Sequence, residues 1–557
     1  MSSSTAQIDR GEPSRPGCGD PALLEALADP ATYGGGPPVA VHETHASWVF
    51  VAGARAYKIK KPVALGFLDY STLSRRHAAC REEVRVNREL APGIYLGVRA
   101  IVRTEAGFEL APDHTPDAVE YAVEMRCFRE ADTLAGLIAS GALRSAHLEA
   151  VARRLAAFHR MAPVVSGGGR QEVLGMWQDN VRELAAASHT LGWPVKLAEG
   201  FGEAFVRAHG REIERRTRAG LVRDGHGDLR CEHVLAVPTV RVVDRIEFDP
   251  SLRHTDVACD LAFLAMDLEA LGQRWAADEL ISVYGQDGMD PGSEALLSFY
   301  AAHRALVRAK VALIAAAEHD RARRTEQLAQ AQAMWALGER LCWRARAPVA
   351  IVVCGPAASG KSTLAAELSR RSGLAVLSSD ALRKHAAGIP LTERAAPEHY
   401  SERFTHLTYE LLGRQVQRAL CRGHGVIVDA TCRSRGDRFL LMHRLHGAGL
   451  THVVVRCDVP LQVALERAER RTHETGHVSD ATPEIVAEQY RSFQALEELA
   501  PGSVLEVDTR QALDAQVAEV TRAVDRRLAP SAPSEPDVHG PLVQRSSGAL
   551  AQEVDRR

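Results

Sequence analysis

Lysine is scarce in this chain. Of 68 basic side chains in 557 residues, seven are lysine: Lys58, Lys60, Lys61, Lys196, Lys310, Lys361 and Lys384. A coding bias toward arginine produces such a ratio by itself. Arginine's planar fork is nevertheless a poor substitute where chemistry needs a compact ammonium, so the places that keep lysine are informative. Charge of one sign is also missing: a formal net charge of −3 offers no general basic surface to nucleic acid or an anionic membrane. No uninterrupted apolar run approaches the ~18 residues of a membrane-spanning helix. The N-terminal stretch with Ser2, Ser3, Ser4, Asp9, Arg10 and Glu12 lacks the apolar centre of a secretory signal. The ten cysteines form no C-x-x-C pair and no dense segment, which argues against a zinc ribbon or a disulfide framework and for a reducing cytoplasm.

What is present is ordinary globular material, 46% hydrophobic and 25% charged. Both ends, 1–20 and 530–557, are rich in Ser, Gly or Pro without a sustained apolar period, and read as disordered tails. Between them a long Ala/Arg/Leu-rich helical stretch from about Ser293 stops at Arg346-Ala347-Pro348, and the apolar run Val349–Cys354 follows at once. Proline biases its predecessor away from helix, and a short β-branched run reads as a buried strand. The expected domains are therefore 21–345 and 346–529. The first opens with strands His45–Val51 and Arg55–Pro62 around Ala52-Gly53-Ala54, a hairpin pattern; it continues with a helix carrying Glu83, a strand-like passage near Val119–Phe128, and mostly helix thereafter. The second alternates strand and helix, as a parallel α/β sheet requires, with strands at Val349–Cys354, Ala375–Ser378, Gly425–Val428 and His452–Cys457.

The segment Gly355-Pro356-Ala357-Ala358-Ser359-Gly360-Lys361-Ser362-Thr363 fits G-x-x-x-x-G-K-[ST] between a buried strand and a helix start. Glycines let backbone N–H groups turn inward around phosphates, Lys361 reaches the β/γ oxygens, and the Ser362 hydroxyl is a ligand for Mg²⁺. Scarce lysine makes the match specific. Asp429, after Val426-Ile427-Val428, is placed to support the magnesium shell, or is an ordinary strand-end acid. Asp380 follows the second strand and faces the same crevice, where it suits two roles, base toward an acceptor hydroxyl or helix N-cap, with Arg383 or Lys384 holding the acceptor. Arg467, Arg470 and Arg471 share a helix face that either closes over transferring phosphoryl charge or is merely solvated.

In the first domain, His226-Gly227-Asp228-Leu229-Arg230 and Val242-Val243-Asp244 place two acids sixteen residues apart on short apolar runs, which suits a hydroxyl-activating base beside a metal-binding carboxylate. Alternation puts Lys58 and Lys60 on one face of a strand, which in the plain reading is an ordinary charged edge strand.

These motifs carry two resemblances. The phosphate loop, Ser379-Asp380-x-x-Arg383, Val428-Asp429-Ala430-Thr431 and Arg467–Arg471 followed by Ser479-Asp480-Ala481 resemble the P-loop kinase-like family that includes zeta toxins and polynucleotide kinase domains. The H-G-D segment with the Asp244 strand end resembles aminoglycoside phosphotransferases and related kinase-like enzymes. That resemblance implies Asp228 as base, Asp244 as magnesium ligand, Asp256 and Asp260 as braces, and a phosphate-contacting lysine in the third strand, for which Lys60 is preferred, with Glu83 as its ion-pair partner; where the family pattern has a magnesium-binding asparagine, this chain has His233. The whole is similar to the bacterial family that fuses an aminoglycoside-phosphotransferase-like domain to a P-loop, AAA-type or zeta-toxin-like, ATP-binding domain. The implied fold is mixed α/β and α+β: an N-terminal bilobal protein-kinase-like domain and a C-terminal P-loop NTPase with a parallel sheet. The implied activity is a cytoplasmic phosphotransferase with two ATP and Mg²⁺ sites acting on a small-molecule hydroxyl. An ATP-sensing regulator and a nucleic-acid end kinase are the alternatives, the latter disfavoured by the net charge.

Overall fold

Gly53 and Ala54 turn the chain between strands Ser47–Ala52 and Arg55–Lys60, which pair antiparallel from Ala52 opposite Arg55 to Ser47 opposite Lys60. The two-residue connection is the hairpin expected from sequence, and Gly53 supplies the left-handed backbone (φ +59°) that such turns use. The computed structural model describes residues 20–528 except 66–67, 106, 319–320, 447–450, 472–481 and 500–501. The expected tails, Asp20 apart, lie outside the described residues, as do Ser479, Asp480 and Ala481.

The hairpin belongs to a six-stranded antiparallel sheet in the order Ala40–Glu43, Ser47–Ala52, Arg55–Lys60, Ala118–Arg126, Tyr95–Thr104 and Gly107–Pro112. Helix Leu73–Asn87 packs on this sheet and buries Cys80, Glu83, Val84 and Val86. Its Thr72 N-cap accepts a hydrogen bond from the Arg75 N–H. From Leu134 to Ala345 the chain is mainly helical around one large apolar core containing Trp177, Phe201, Phe205, Phe263 and Phe299. Four short strands interrupt it: Val222–Asp224 pairs with His254–Asp256, and Val234–Leu235 with Arg241–Val242. The second of these hairpins lies between Asp228 and Asp244 in the chain and folds the two acids toward each other.

The helical stretch ends at Ala345, and Val349–Cys354 begins a five-stranded parallel sheet ordered Ala375–Ser378, Val426–Asp429, Val349–Cys354, Thr451–Asp458, Val504–Asp508. The four expected strands are present, with Asp429 inside its strand rather than beyond it, and Val504–Asp508 adds a fifth. The central strand is buried along its whole length, which explains its unbroken apolar sequence. Apolar cores lie on both faces of the sheet.

The two halves meet through Arg346. Its guanidinium makes two hydrogen bonds to Asp525, at 2.7 and 3.0 Å, and stacks 4.3 Å from the Phe201 ring and 4.8 Å from the Trp343 ring. Among the described residues no helix is long and apolar enough to cross a membrane.

Candidate functional sites on two folds

Parallel pairing aligns Ser378 with Asp429 and Asp429 with Val353, so the segment after Ser378, Asp429 and the loop after Cys354 emerge together at the carboxyl ends of three adjacent strands. This is where ligands of open α/β sheets bind. The loop 355–363 needs its two glycines for specific reasons. A Cβ on Gly355 (φ +141°) would stand 2.8 Å from the Cys457 carbonyl oxygen, and one on Gly360 (φ +99°) would stand 3.0 Å from Thr509 Cβ. Lys361 Nζ donates to the Pro356 carbonyl at 2.8 Å, and the Ala357 N–H donates to Gln489 Oε1 at 2.8 Å. Ser359 Oγ is buried without a hydrogen-bond partner among the described residues. Helix Lys361–Ser372 starts directly from the loop, and its first N–H groups have no carbonyl one turn back to receive them. An oxyanion in the cradle would satisfy these donors.

Thr509, just after the fifth strand, locks the loop from the side. Its Oγ1 donates to the Ser359 carbonyl at 2.7 Å, and Arg467 reaches it through Nη1 to Oγ1 (3.0 Å) and Nη2 to the carbonyl (2.9 Å). Gly360, Thr363, Arg467, Arg470 and Thr509 line an open cleft beside the loop. Arg467 thus stands at the phosphate loop, whereas the Arg471 side chain lies outside the described residues.

Asp380 is not a helix cap. Ser378 is the N-cap of helix Ser379–Ala387, accepting from the Ala381 N–H, which leaves Asp380 half-buried in the first turn. Its expected companions are turned inward: Arg383 donates to the His399 carbonyl (2.7 Å) and to Thr405 Oγ1 (3.2 Å), and Lys384 donates to the Leu391 carbonyl (3.0 Å). Arg383 Nε is buried without a hydrogen-bond partner among the described residues. Ser362 and Asp429 are hard oxygen donors at the loop and the strand end, a set whose chemistry fits Mg²⁺.

On the other fold, the lysine strand faces helix Leu73–Asn87. Lys58 Nζ lies 2.8 Å from Glu83 Oε1 and 3.1 Å from Asp244 Oδ1. Lys60 Nζ lies 2.5 Å from Glu83 Oε2 and also pairs with Glu247. Their exposures separate them: the Lys60 side chain is 2% exposed, Lys58 17% and Asp244 46%. The expectation that Lys60 meets phosphate therefore runs against its burial, and the lysine that reaches the open acid is Lys58. Burial opposes charge on Lys58, but Asp244, Glu83 and Glu247 outweigh it and raise its pKa well above the usual lysine range. In return Lys58 holds Asp244 well below the usual carboxylate range, against burial and with help from His233. Asp244 has a left-handed backbone (φ +61°), rare for a non-glycine residue, and its N–H donates to the Tyr95 hydroxyl at 3.0 Å.

The Asp228 loop is braced from below. Asp260 accepts from the His226 N–H (2.5 Å) and the Gly227 N–H (2.9 Å), and buried His226 spans the loop from the Asp228 N–H (3.2 Å) to the Val243 carbonyl (2.9 Å). Burial keeps His226 neutral, lowering its pKa to about 4. Asp256 braces elsewhere, pairing twice with buried Arg216 at 2.7 and 2.8 Å. Burial alone would raise the Asp228 pKa, yet Arg230, His233 and His226 bring it below the usual range. His233 lies between the acids, 3.6 Å from Asp228 Oδ2 and 3.8 Å from Asp244 Oδ2. Its Nδ1 is 2.8 Å from the Asp228 carbonyl and its Nε2 is 3.1 Å from Arg230 Nη2, so both ring nitrogens are engaged inside the loop. That does not fit the metal-ligand role expected of His233; the half-exposed, ionised Asp244 carboxylate does fit Mg²⁺.

A family model described as AAA domain matches residues 351–496, the segment holding the phosphate loop, Asp380, Asp429 and Arg467. The "Uncharacterized protein Rv2004c" of Mycobacterium tuberculosis is 32% identical over 467 residues, covering 81% of this chain and 89% of that protein; the "Uncharacterized protein Mb2027c" of Mycobacterium bovis gives the same figures. The chain belongs to the family of these mycobacterial proteins. Because the match takes in most of both chains, the family shares both halves of the molecule and not the P-loop segment alone.

Among solved structures, a choline/ethanolamine kinase family protein from Mesorhizobium loti is 17% identical, covering 58% of this chain and 99% of its own, with a TM-score of 0.35. A gluconokinase from Sinorhizobium meliloti is 21% identical, covering 32% and 93%, with a TM-score of 0.23.

Three site residues, Tyr95, Thr509 and Gln489, had no local signal in sequence. Tyr95 sits in a strand whose alternation is broken by register shifts at Tyr95/Gly97 and Ile101/Val102. Thr509 and Gln489 come to the phosphate loop from far along the chain. Lys58 was distinguishable from Lys60 only by three-dimensional distance.

Proposed function

We propose that this protein is an ATP-dependent phosphotransferase with two nucleotide sites, each passing the γ-phosphoryl group to a small-molecule hydroxyl. The observation that carries the proposal is the duplication of one chemical set on two folds: Lys361 with Asp429 and Asp380 at the parallel sheet, and Lys58 with Asp244 and Asp228 beside the antiparallel one. Phosphoryl transfer needs little covalent participation from protein; it needs positioned cations, a metal-binding carboxylate and a group that receives the hydroxyl proton. Both sites have these parts.

At the loop site, the 355–363 cradle with Lys361 holds the phosphates, Arg467 offers its guanidinium at the cleft, and half-buried Asp380 takes the acceptor proton. At the second site, Lys58 contacts phosphate, Glu83 orients Lys58, and Asp228 receives the proton. Ser362 and Asp429 in one site, and Asp244 in the other, would hold Mg²⁺, which would supply positive charge to the phosphate oxygens. In each transfer the acceptor oxygen bonds to the γ-phosphorus, the bond to the β-phosphate oxygen breaks, and ADP leaves.

The test is acceptor-dependent ADP release across a library of hydroxyl metabolites, with phosphorylated product read by mass spectrometry. Lys361→Ala should remove one set of products and Asp228→Asn the other. A protein that releases ADP at the same rate with and without every acceptor is instead a nucleotide sensor, and the proposal fails.

A further inference from the structure

The three nitrogens of the Arg230 guanidinium each meet a different side chain of the Asp228 loop. Nε lies 3.2 Å from Asp228 Oδ2, Nη1 pairs with Glu232, and Nη2 lies 3.1 Å from His233 Nε2. These partners settle the state of His233. A carbonyl only accepts, so Nδ1, 2.8 Å from the Asp228 carbonyl, carries the imidazole proton. A guanidinium only donates, so the Nε2 lone pair is spent on Arg230. The one electron pair with which this ring could bind a metal is turned to a cation of the protein's own.

Protein-kinase sites hold two magnesium ions, one on a strand-end aspartate and one on an asparagine of the base loop. Here Asp244 answers to the first position, and His233, its lone pair taken, stands at the second. The need for a second positive charge remains. An ionised base and the oxygens of a γ-phosphoryl group repel each other at contact distance unless a cation stands with them. Arg230 is placed to be that cation. It holds Asp228 Oδ2, and one imidazole separates it from Asp244, whose Oδ2 lies 3.8 Å from His233. Its side chain is 17% exposed, neither sealed in the core nor free in solvent. No hydrogen bond from a described residue goes to Asp228 Oδ1, which leaves that oxygen to a hydroxyl.

We infer that the Asp228 site works with a single divalent ion, on Asp244, and that the Arg230 guanidinium takes the place of a second, shielding the γ-phosphoryl group from the Asp228 carboxylate. This rests on the phosphotransferase reading of that site. In the transfer the alcohol oxygen forms its bond to the γ-phosphorus, its proton passes to Asp228, the bond to the β-phosphate oxygen breaks, and ADP departs. Arg230 keeps its protons throughout, since a guanidinium does not release one near neutral pH. Its pairing with Asp228 is part of the role, because the charge it screens is that of the base.

The experiment uses the full chain with Lys361→Ala, which weakens the loop site, and a non-hydrolysable ATP analogue with Mn²⁺. Bound analogue is measured by equilibrium dialysis and bound Mn²⁺ by electron paramagnetic resonance. One Mn²⁺ per bound nucleotide is expected; a ratio above one overturns the inference and leaves the phosphotransferase reading standing. Arg230→Ala should weaken the analogue about tenfold or more and ADP less than about threefold, because only the analogue brings a γ-phosphoryl group to Asp228. Adding Asp228→Asn to Arg230→Ala removes the repelling charge and should recover most of that loss. Equal losses for analogue and ADP, or a loss that Asp228→Asn does not recover, give Arg230 a structural role only and overturn the inference. Analogue binding that Asp244→Asn leaves unchanged means that no nucleotide occupies this site, which removes the phosphotransferase reading and the inference with it.

Discussion

The Lys58 ammonium lies 3.1 Å from Asp244 Oδ1 while also holding Glu83 at 2.8 Å, so one lysine ties the strand, the helix and the acid loop at a single point. Lys60, two residues on, spends its charge internally on Glu83 and Glu247.

The two lysines should therefore fail differently. Lys58→Met is expected to cut transfer at this site by roughly 10²-fold or more, because a cation that stabilises developing phosphoryl charge is gone. Lys60→Met leaves two buried carboxylates poorly compensated and should cost about 3–5 kcal/mol of stability. Urea unfolding and acceptor-dependent ADP release, both in the Lys361→Ala background, read the pair; a large activity loss with intact stability in Lys60→Met would move the phosphate role to Lys60.

Gly360 carries a tight approach as well as a left-handed backbone. Gly360→Ala sets a methyl 3.0 Å from Thr509 Cβ at φ +99°, a strain of about 1–3 kcal/mol that falls on the loop itself. Binding of a non-hydrolysable ATP analogue at the loop, titrated in Lys58→Met protein so that the second nucleotide site is weakened, should fall at least about tenfold. Unaltered binding would mean that Thr509 yields freely and does not hold the loop.

Acid should weaken the Asp228 loop through His226. Its pKa falls from 6.5 to about 4 because the buried ring is kept neutral. Between those values the unfolded chain binds a proton that the folded chain refuses, so stability is complete above pH 6.5 and falls as pH drops toward 4. The loss approaches about 3 kcal/mol. Asp260, whose carboxylate is held well below its usual range by His159 and by His226 despite its burial, adds to the loss at still lower pH. Urea titrations from pH 7 to 4.5 should show the decline, and His226→Asn, less stable at pH 7, should show a shallower slope over that window. An equal slope would place the pH dependence in other groups.

Arg346 joins the halves with two hydrogen bonds to Asp525 and two aromatic stacks. Removing one member of so buried a pair typically costs about 3–5 kcal/mol, since the other charge is left behind. Arg346→Ala is expected to split thermal unfolding into two transitions in calorimetry. Arg346→Ala combined with Asp525→Ala should cost less than the two single losses added. Strict additivity would show that the pair contributes nothing to the joint.

Much of the architecture was legible because local patterns carry it. Val349–Cys354 is wholly apolar because both sheet faces are covered, and Gly53 marks a turn because the turn needs its backbone. The strand Tyr95–Thr104 was not legible, since bulges shift its side-chain alternation midway. Local sequence suits Asp380 equally to base and to cap, and the fold gives the cap to Ser378.

The sequence by itself determined the phosphate loop, the H-G-D segment and the strand that keeps Lys58, Lys60 and Lys61, because each is a run of neighbouring residues whose chemistry depends on local spacing. Tertiary structure alone decided which lysine reaches Asp244, that Arg230 and Asp228 engage His233 on both ring nitrogens, and that Thr509 and Gln489 close on the loop. Those relations join residues up to 186 positions apart. Charge pairing is set by distance and desolvation, and neither is written in the order of residues along a chain.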